Sequence, residues 1–161
     1  MTIFSGRSLA KAIVMTVGIA GTLDIADAFT FFGLRRHVPP TRILQNIASH
    51  LIGRSAFTGA TRTAVLGLAL HYVIAACWIT GFVLVAQYLP LLFRRPILCG
   101  ALYGLLIYAV MNYLVLPHTR NPTMPTHDPI NLLNAVLALV LLMGVTVAVL
   151  NRNLAPLPLQ P

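Results

Sequence analysis

Four stretches of this chain, Ala12–Leu34, Ala64–Tyr88, Ile97–Leu116 and Ile130–Leu150, are mainly apolar and reach the roughly 20 residues that an α-helix needs to cross a bilayer. Lipid offers no partners to backbone N–H and C=O groups, so a segment of this kind must satisfy them within itself, as a helix does. The chain has 161 residues, of which 58% are hydrophobic and only 9% charged, and its mean hydropathy is +0.84. Such a composition lies far from the roughly 25% charged residues of soluble domains. Little sequence remains outside the four spans, which excludes a separate water-soluble catalytic module. The predicted fold is all-α, a single integral membrane domain over 1–161 built as a four-helix transmembrane bundle.

The connections carry their own signals. Arg35-Arg36-His37-Val38-Pro39-Pro40 breaks the first helix, because proline lacks an N–H and restrains the residue before it. Thr41 is then a candidate cap for a short helix over 42–53. Ile43, Leu44, Ile47, Ala48, Leu51 and Ile52 form one stripe of that segment, opposite Arg42, Gln45, Asn46, Ser49 and His50. It is too short to span and reads as an amphipathic helix lying in the interface or over the mouth of the bundle. Pro122 and Pro125 stiffen the connection His118–Asp128, and Asp128-Pro129 is a start signal for the fourth helix. The tail Ala155–Pro161 reads as disordered or polyproline-like.

Near the N-terminus, Arg7, Lys11, an apolar run and then Ala26-Asp27-Ala28 imitate a cleavable signal peptide. The apolar run continues through Phe29–Leu34 to Arg35 and Arg36, which is the length of a span, so the segment is read as retained. Basic residues divide almost evenly between the two membrane faces: Arg7, Lys11, Arg94, Arg95 and Arg152 on one, Arg35, Arg36, Arg42, Arg54, Arg62 and Arg120 on the other. Arg7 and Lys11 before the first span place the termini in the cytoplasm. The same scatter over helix ends makes lipid headgroups the partners of the +8 net charge, rather than nucleic acid.

The chain has three acidic residues against eleven Lys and Arg, and two of the three, Asp24 and Asp27, stand inside the first span. An ionised Asp at mid-membrane costs about 2.5–3.5 kcal/mol on insertion scales, so such residues mark functional sites by default. Threading four antiparallel helices through one slab puts Asp27, His71, Asn112 and Asn134 each about 6–10 Å from the same face, at about 1.5 Å per residue. Gly100, Gly104, Tyr108 and Asn112 recur every four residues, so close-packing glycines and polar groups share one stripe. Ala20, Asp24 and Ala28 on the first helix, and Gly67, His71 and Ala75 on the second, do the same. The predicted site is a polar pocket inside the bundle, open toward the amphipathic segment and made from Asp24, Asp27, His71, Tyr108, Asn112 and Asn134. Two carboxylates three residues apart cannot both ionise cheaply in low dielectric, and His71 can supply the compensating charge or take a proton.

Other chemistries have less to stand on. Asp24, Asp27, His71 and His118 include ligand types for zinc or manganese but no tight ligand motif. No cofactor is predicted; His71 is the one histidine deep in a span, which argues against two-histidine haem ligation. Cys77 has no recognisable base partner, and its depth differs from that of Cys99 by about 10 Å, which argues against a disulfide.

Gly21-Thr22-Leu23-Asp24-Ile25-Ala26-Asp27-Ala28, His37-Val38-Pro39-Pro40-Thr41-Arg42-Ile43-Leu44-Gln45 and Val110-Met111-Asn112-Tyr113-Leu114-Val115-Leu116-Pro117 resemble segments of small bacterial inner-membrane proteins with four transmembrane helices. The resemblance covers most of the chain. It implies location and architecture, but no activity and no functional residue. Three readings follow: a buried Asp/His layer that binds or moves a proton, cation or small polar solute; a non-catalytic scaffold presenting its amphipathic helix to lipid or a membrane-protein partner; and a metal-dependent membrane enzyme. Transport would favour a homo-oligomer, since four helices form a pore only with difficulty.

Overall fold

The computed structural model describes residues 6–89 and 91–155. Among the described residues all regular structure is helical. The long helices are α1 (Gly6–Arg36), α3 (Ala60–Ala86), α5 (Pro96–His118) and α6 (Pro129–Leu154), each long and apolar enough to cross a bilayer. Between α1 and α3 lie α2 (Pro40–Ile52) and a 3₁₀ turn (Gly53–Thr58), and between α3 and α5 lies the single turn α4 (Leu91–Arg94). The four predicted spans and the short intervening helix are therefore present; the first, third and fourth long helices run past their apolar windows at both ends, whereas α3 begins four residues before its window and ends two residues short of Tyr88. The predicted tail reading falls almost wholly on residues 156–161, outside the described residues.

Helix ends follow local chemistry. Asp128 caps α6, its side chain accepting from the N–H groups of Ile130 and Asn131, with Pro129 in the first turn; both groups would otherwise be orphaned. Thr41 does not cap α2: the helix begins one residue earlier at Pro40, with no side-chain cap, because a first-turn proline already has the right φ and no N–H to satisfy. α1 ends as His37 enters the left-handed region at φ 52°, where its N–H donates to the Gly33 carbonyl at 3.1 Å, a helix-stop geometry that usually selects glycine.

Backbone contacts at glycine set the packing. A Cβ on Gly100 would stand 2.6 Å from the Gly144 carbonyl oxygen, and one on Gly144 would stand 2.7 Å from the Gly104 nitrogen. The Gly-x-x-x-Gly stripe of α5 thus meets Gly144 of α6 backbone to backbone, the small-residue packing that drives helix association where no hydrophobic effect operates. α2 is drawn onto α3 in the same way: a Cβ on Gly67 would fall 2.7 Å from the Leu44 carbonyl carbon. With α5 held to α6 and α2 held to α3, α3 and α5 diverge. Tyr103 bridges their seam, its hydroxyl donating to the Trp78 carbonyl at 2.6 Å.

The bundle is solid in one half of its thickness and hollow in the other. Ala12, Ala20, Ile79, Phe82, Val83, Val147 and Ala148 form the dry core, and in that half Asn151 reaches across to Thr16 Oγ1 at 3.2 Å. α5 has a wide π-helical turn at Val110–Val115 in the other half, and α6 has one at Ala138–Val145, level with Gly100 and Gly104. Such turns interrupt the usual ladder and collect at functional sites.

The α5–α6 contact leaves no room for a side chain, and overpacking costs about 1–3 kcal/mol where the neighbours cannot yield. Gly144→Ala is expected to lower unfolding free energy by about 2–3 kcal/mol, measured by reversible unfolding in micelles or nanodiscs. Gly18→Ala, with nothing within 4 Å of its Cβ, serves as the control and stays within about 0.5 kcal/mol of the parent.

Candidate functional site

In the hollow half lies a cavity of about 500 Å³. Asp24 and Ala28 of α1, His71 and Trp78 of α3, Asn112 of α5 and Met143 of α6 contribute to its wall, and α2 closes one side with Asn46, Ile47, His50 and Leu51. Asp24 is the sole acidic residue in this lining, and no Lys or Arg belongs to it. Its volume suits a small organic molecule, and a mostly apolar wall with a few convergent polar groups is the usual composition of a binding pocket.

The chain's three carboxylates differ in what they touch. Asp128 is held at the surface, where Arg35 Nη2 donates to its two oxygens at 3.2 and 2.9 Å and Arg36 Nη2 donates at 3.4 Å. The Arg35 hydrogen bond is the largest of the influences that lower its pKa below the ordinary carboxylate value. Asp27 accepts from Asn134 Nδ2 at 2.9 Å, which ties α1 to α6. Asp24 has no hydrogen-bond partner among the described residues. The carboxylate facing the cavity is therefore the unengaged one.

His71 is fixed by a cross-helix bond. Its Nε2 lies 2.9 Å from the Gly21 carbonyl oxygen, and a carbonyl can only accept, so Nε2 carries the proton and Nδ1 of the neutral ring keeps its lone pair. The neighbouring Tyr72 hydroxyl pairs with Thr22 Oγ1 at 2.8 Å, and its ring lies against Gly21, where a Cβ would stand 3.0 Å away. Gly21 thus lets α3 approach α1 closely enough for His71 to reach the backbone. Asp24 lies one turn further along α1 and within electrostatic reach of His71.

The remaining expected site residues are distributed differently. Asn112 lines the cavity but donates locally, to the Tyr108 carbonyl at 3.0 Å. Tyr108 is buried, with its ring edge-on to Tyr113 at 6.4 Å. Asn134 belongs to the clamp with Asp27. His118 is exposed at the end of α5, where its Nδ1 meets the Leu114 carbonyl at 2.7 Å. Among the described residues no cluster of three or more His, Cys, Asp or Glu side chains suits a metal ion, so Asp24, Asp27, His71 and His118 are not gathered into a ligand set.

α2 is the short amphipathic helix expected between the first two spans, with one departure in its details. Its nominally polar side supplies two buried residues, Gln45 and Ser49, whereas Leu51 is 49% exposed. Gln45 Nε2 donates to the Ala60 carbonyl at 3.0 Å, Asn121 Nδ2 donates to Ser49 Oγ at 2.8 Å, and the Arg120 N–H donates to the His50 carbonyl at 3.1 Å. Hydrogen bonding to α3 and to the connection after α5 offsets the cost of burying these groups, and it draws the polar side inward. His50 Nδ1 pairs with Thr119 Oγ1 at 2.9 Å, and both residues line the cavity.

The fold defines a multi-pass α-helical membrane protein with a mostly apolar cavity that carries a few polar groups and is roofed by a short helix. Comparison with protein-family models, curated proteins and solved structures gives no match.

Two predictions follow from these contacts. A double-mutant cycle between Asp27→Ala and Asn134→Ala should give a coupling of about 0.6 kcal/mol and no more than about 1.7, the range of interhelical hydrogen bonds in membranes. The second concerns His50, whose pKa burial lowers, opposed by a backbone bond at Asn121. The folded state thus favours the neutral ring. Its stabilising contribution is complete above the ordinary value of about 6.5 and is lost as the pH falls below it. Amide protection factors across Pro40–Ile52, corrected for the intrinsic pH dependence of exchange, should fall below about pH 6.5, and His50→Gln should remove that dependence.

Proposed function

We propose that the cavity binds a cationic or protonatable solute, with Asp24 as its anchoring carboxylate and His71 as a proton acceptor beside it. The observation that carries this reading is the unpartnered Asp24 in a cavity whose lining holds no other charged residue of either sign except titratable histidine. A carboxylate inside a span costs about 2.5–3.5 kcal/mol, and Asp24 has no protein hydrogen bond to offset it. A bound cation or proton supplies what the protein does not.

The chemistry of the neighbours agrees. Asp24 accepts hydrogen bonds, and His71, with Nε2–H committed to Gly21, has only an acceptor left in its neutral form. Two acceptors in a low-dielectric site select a donor with positive charge, because charge-assisted hydrogen bonds are about twice as strong as neutral ones. A proton taken by His71 places an imidazolium beside Asp24, giving the pair a second way to neutralise. Asp27 acts structurally, through Asn134. The protein lies in the bacterial inner membrane with both chain termini cytoplasmic and α2 roofing the site on the opposite face, and the hydrogen bonds of α2 to α3 and to 119–121 favour this role over that of a scaffold displaying a free amphipathic helix.

Trp78 lines the cavity and is the single tryptophan of the chain, so its fluorescence reports occupancy. Methylammonium is expected to change that fluorescence saturably at neutral pH. Loss of a charge-assisted hydrogen bond, worth about 1.5–3 kcal/mol, should weaken the response more than tenfold in Asp24→Asn, while Asp27→Asn retains it. An equal response in Asp24→Asn overturns the assignment.

A further inference from the structure

On the other side of Trp78, the seam between α3 and α5 opens a second space, a groove of about 710 Å³. Cys77, Gly81, Phe82, Leu102, Tyr103 and Leu106 are among its lining residues, and the lining contains no charged residue. Trp78 is common to both linings, and the adjacent residues Leu106 and Ile107 face the groove and the cavity respectively. The two spaces therefore abut end to end along one helix pair. From Asn112 beside the cavity to Cys99 beside the groove, α5 rises about 20 Å at about 1.5 Å per residue, which is most of the thickness of a hydrocarbon core.

We infer that the molecule recognised here is an amphiphile: a single-tailed lipophilic amine whose ammonium group sits on Asp24 in the cavity and whose hydrocarbon tail runs past Trp78 into the α3–α5 groove. This rests on the cation-binding reading above and assigns its ligand class. Charge complementarity selects the head, since the cavity offers one carboxylate and no Lys or Arg. The groove selects the tail, since its lining supplies aromatic and aliphatic side chains, Cys77 and Cys99 and no charge. The route between them is narrow but held by few bonds. Tyr103 closes it with one hydrogen bond to the Trp78 backbone and with ring contacts to Trp78 at 6.2 Å and Phe82 at 5.0 Å. α3 and α5 have no glycine-to-glycine contact of the kind that locks α5 to α6. The seam is therefore the side of the bundle through which a molecule already dissolved in the bilayer reaches Asp24 without crossing the roof formed by α2.

The test uses the full chain in nanodiscs, with Trp78 fluorescence quenched by dibrominated oleylamine and, separately, by dibrominated oleyl alcohol, which shares the tail but has no charge. The amine should quench at a mole fraction at least tenfold below that of the alcohol. Asp24→Asn should erase this preference. Gly81→Leu, which fills the groove at a position whose nearest neighbour is the Tyr103 hydroxyl at 3.9 Å, should also erase it while leaving the methylammonium response intact. Equal quenching by amine and alcohol in the parent protein means that the groove holds bulk lipid only, and overturns the inference. If methylammonium still binds in that case, the cation site stands and only the tail assignment fails. If neither amine acts on the parent protein, both fall. A Gly81→Leu protein that keeps the full amine preference places the tail elsewhere and also overturns the inference.

Discussion

The backbone contact of Gly100 and Gly104 with Gly144 is the constraint from which the rest of the architecture follows. In lipid, apolar side chains gain nothing by leaving one hydrocarbon surface for another, so helices associate where their backbones can approach and disperse where they cannot. α5 and α6 approach at glycine on both sides, and α2 and α3 approach at Gly67. Among the described residues, α3 and α5 make no comparable backbone approach to each other. α3 and α5 are left apart, and the space between them becomes the cavity and the groove.

That geometry gives each acidic residue a different role. Asp128 lies at the membrane surface, where it caps α6 and draws in Arg35 and Arg36 from the end of α1, closing the bundle at the face that carries α2. Asp27 lies deeper and fastens α1 to α6 through Asn134. Asp24, three residues earlier, is turned toward the hollow that divergence of α3 and α5 creates. The two neighbouring carboxylates of α1 thus separate into a structural residue and an exposed acceptor. His71 stands beside the acceptor because Gly21 admits α3 close to α1 and offers a backbone carbonyl to hold the ring.

Much of this arrangement was legible in the sequence, because its signals are periodic. Apolar length located the spans, and four-residue spacing located the stripe from Gly100 to Asn112 that packs at Gly144. Depth counting put Asp27, His71, Asn112 and Asn134 near one face, but it did not single out the bond between Asp27 and Asn134, and Asp24 joined them only through its stripe with Ala20 and Ala28. The same spacing carried back from Ala20 to Thr16 reaches a residue that does bond across the core, but its partner Asn151 lies one residue beyond the apolar window, where no periodic signal reaches it. The inward turn of Gln45 and Ser49 was illegible because it depends on acceptors and donors at Ala60 and Asn121, contributed by other elements. The Arg35–Asp128 pair was missed because it joins loop ends distant in sequence. The π-helical turns flanking the cavity have no composition of their own.

The central claim is that Asp24 is the accessible, unpartnered carboxyl of the cavity and Asp27 the engaged one. Carbodiimide labelling of the protein in membranes at mildly acidic pH, resolved by residue with mass spectrometry, tests it most directly, because the reagent seeks protonated carboxyls in apolar surroundings. Asp24 should be labelled well ahead of Asp27, with methylammonium protecting Asp24. Labelling of Asp27 in preference to Asp24, or labelling of Asp24 that methylammonium leaves unchanged, would contradict it.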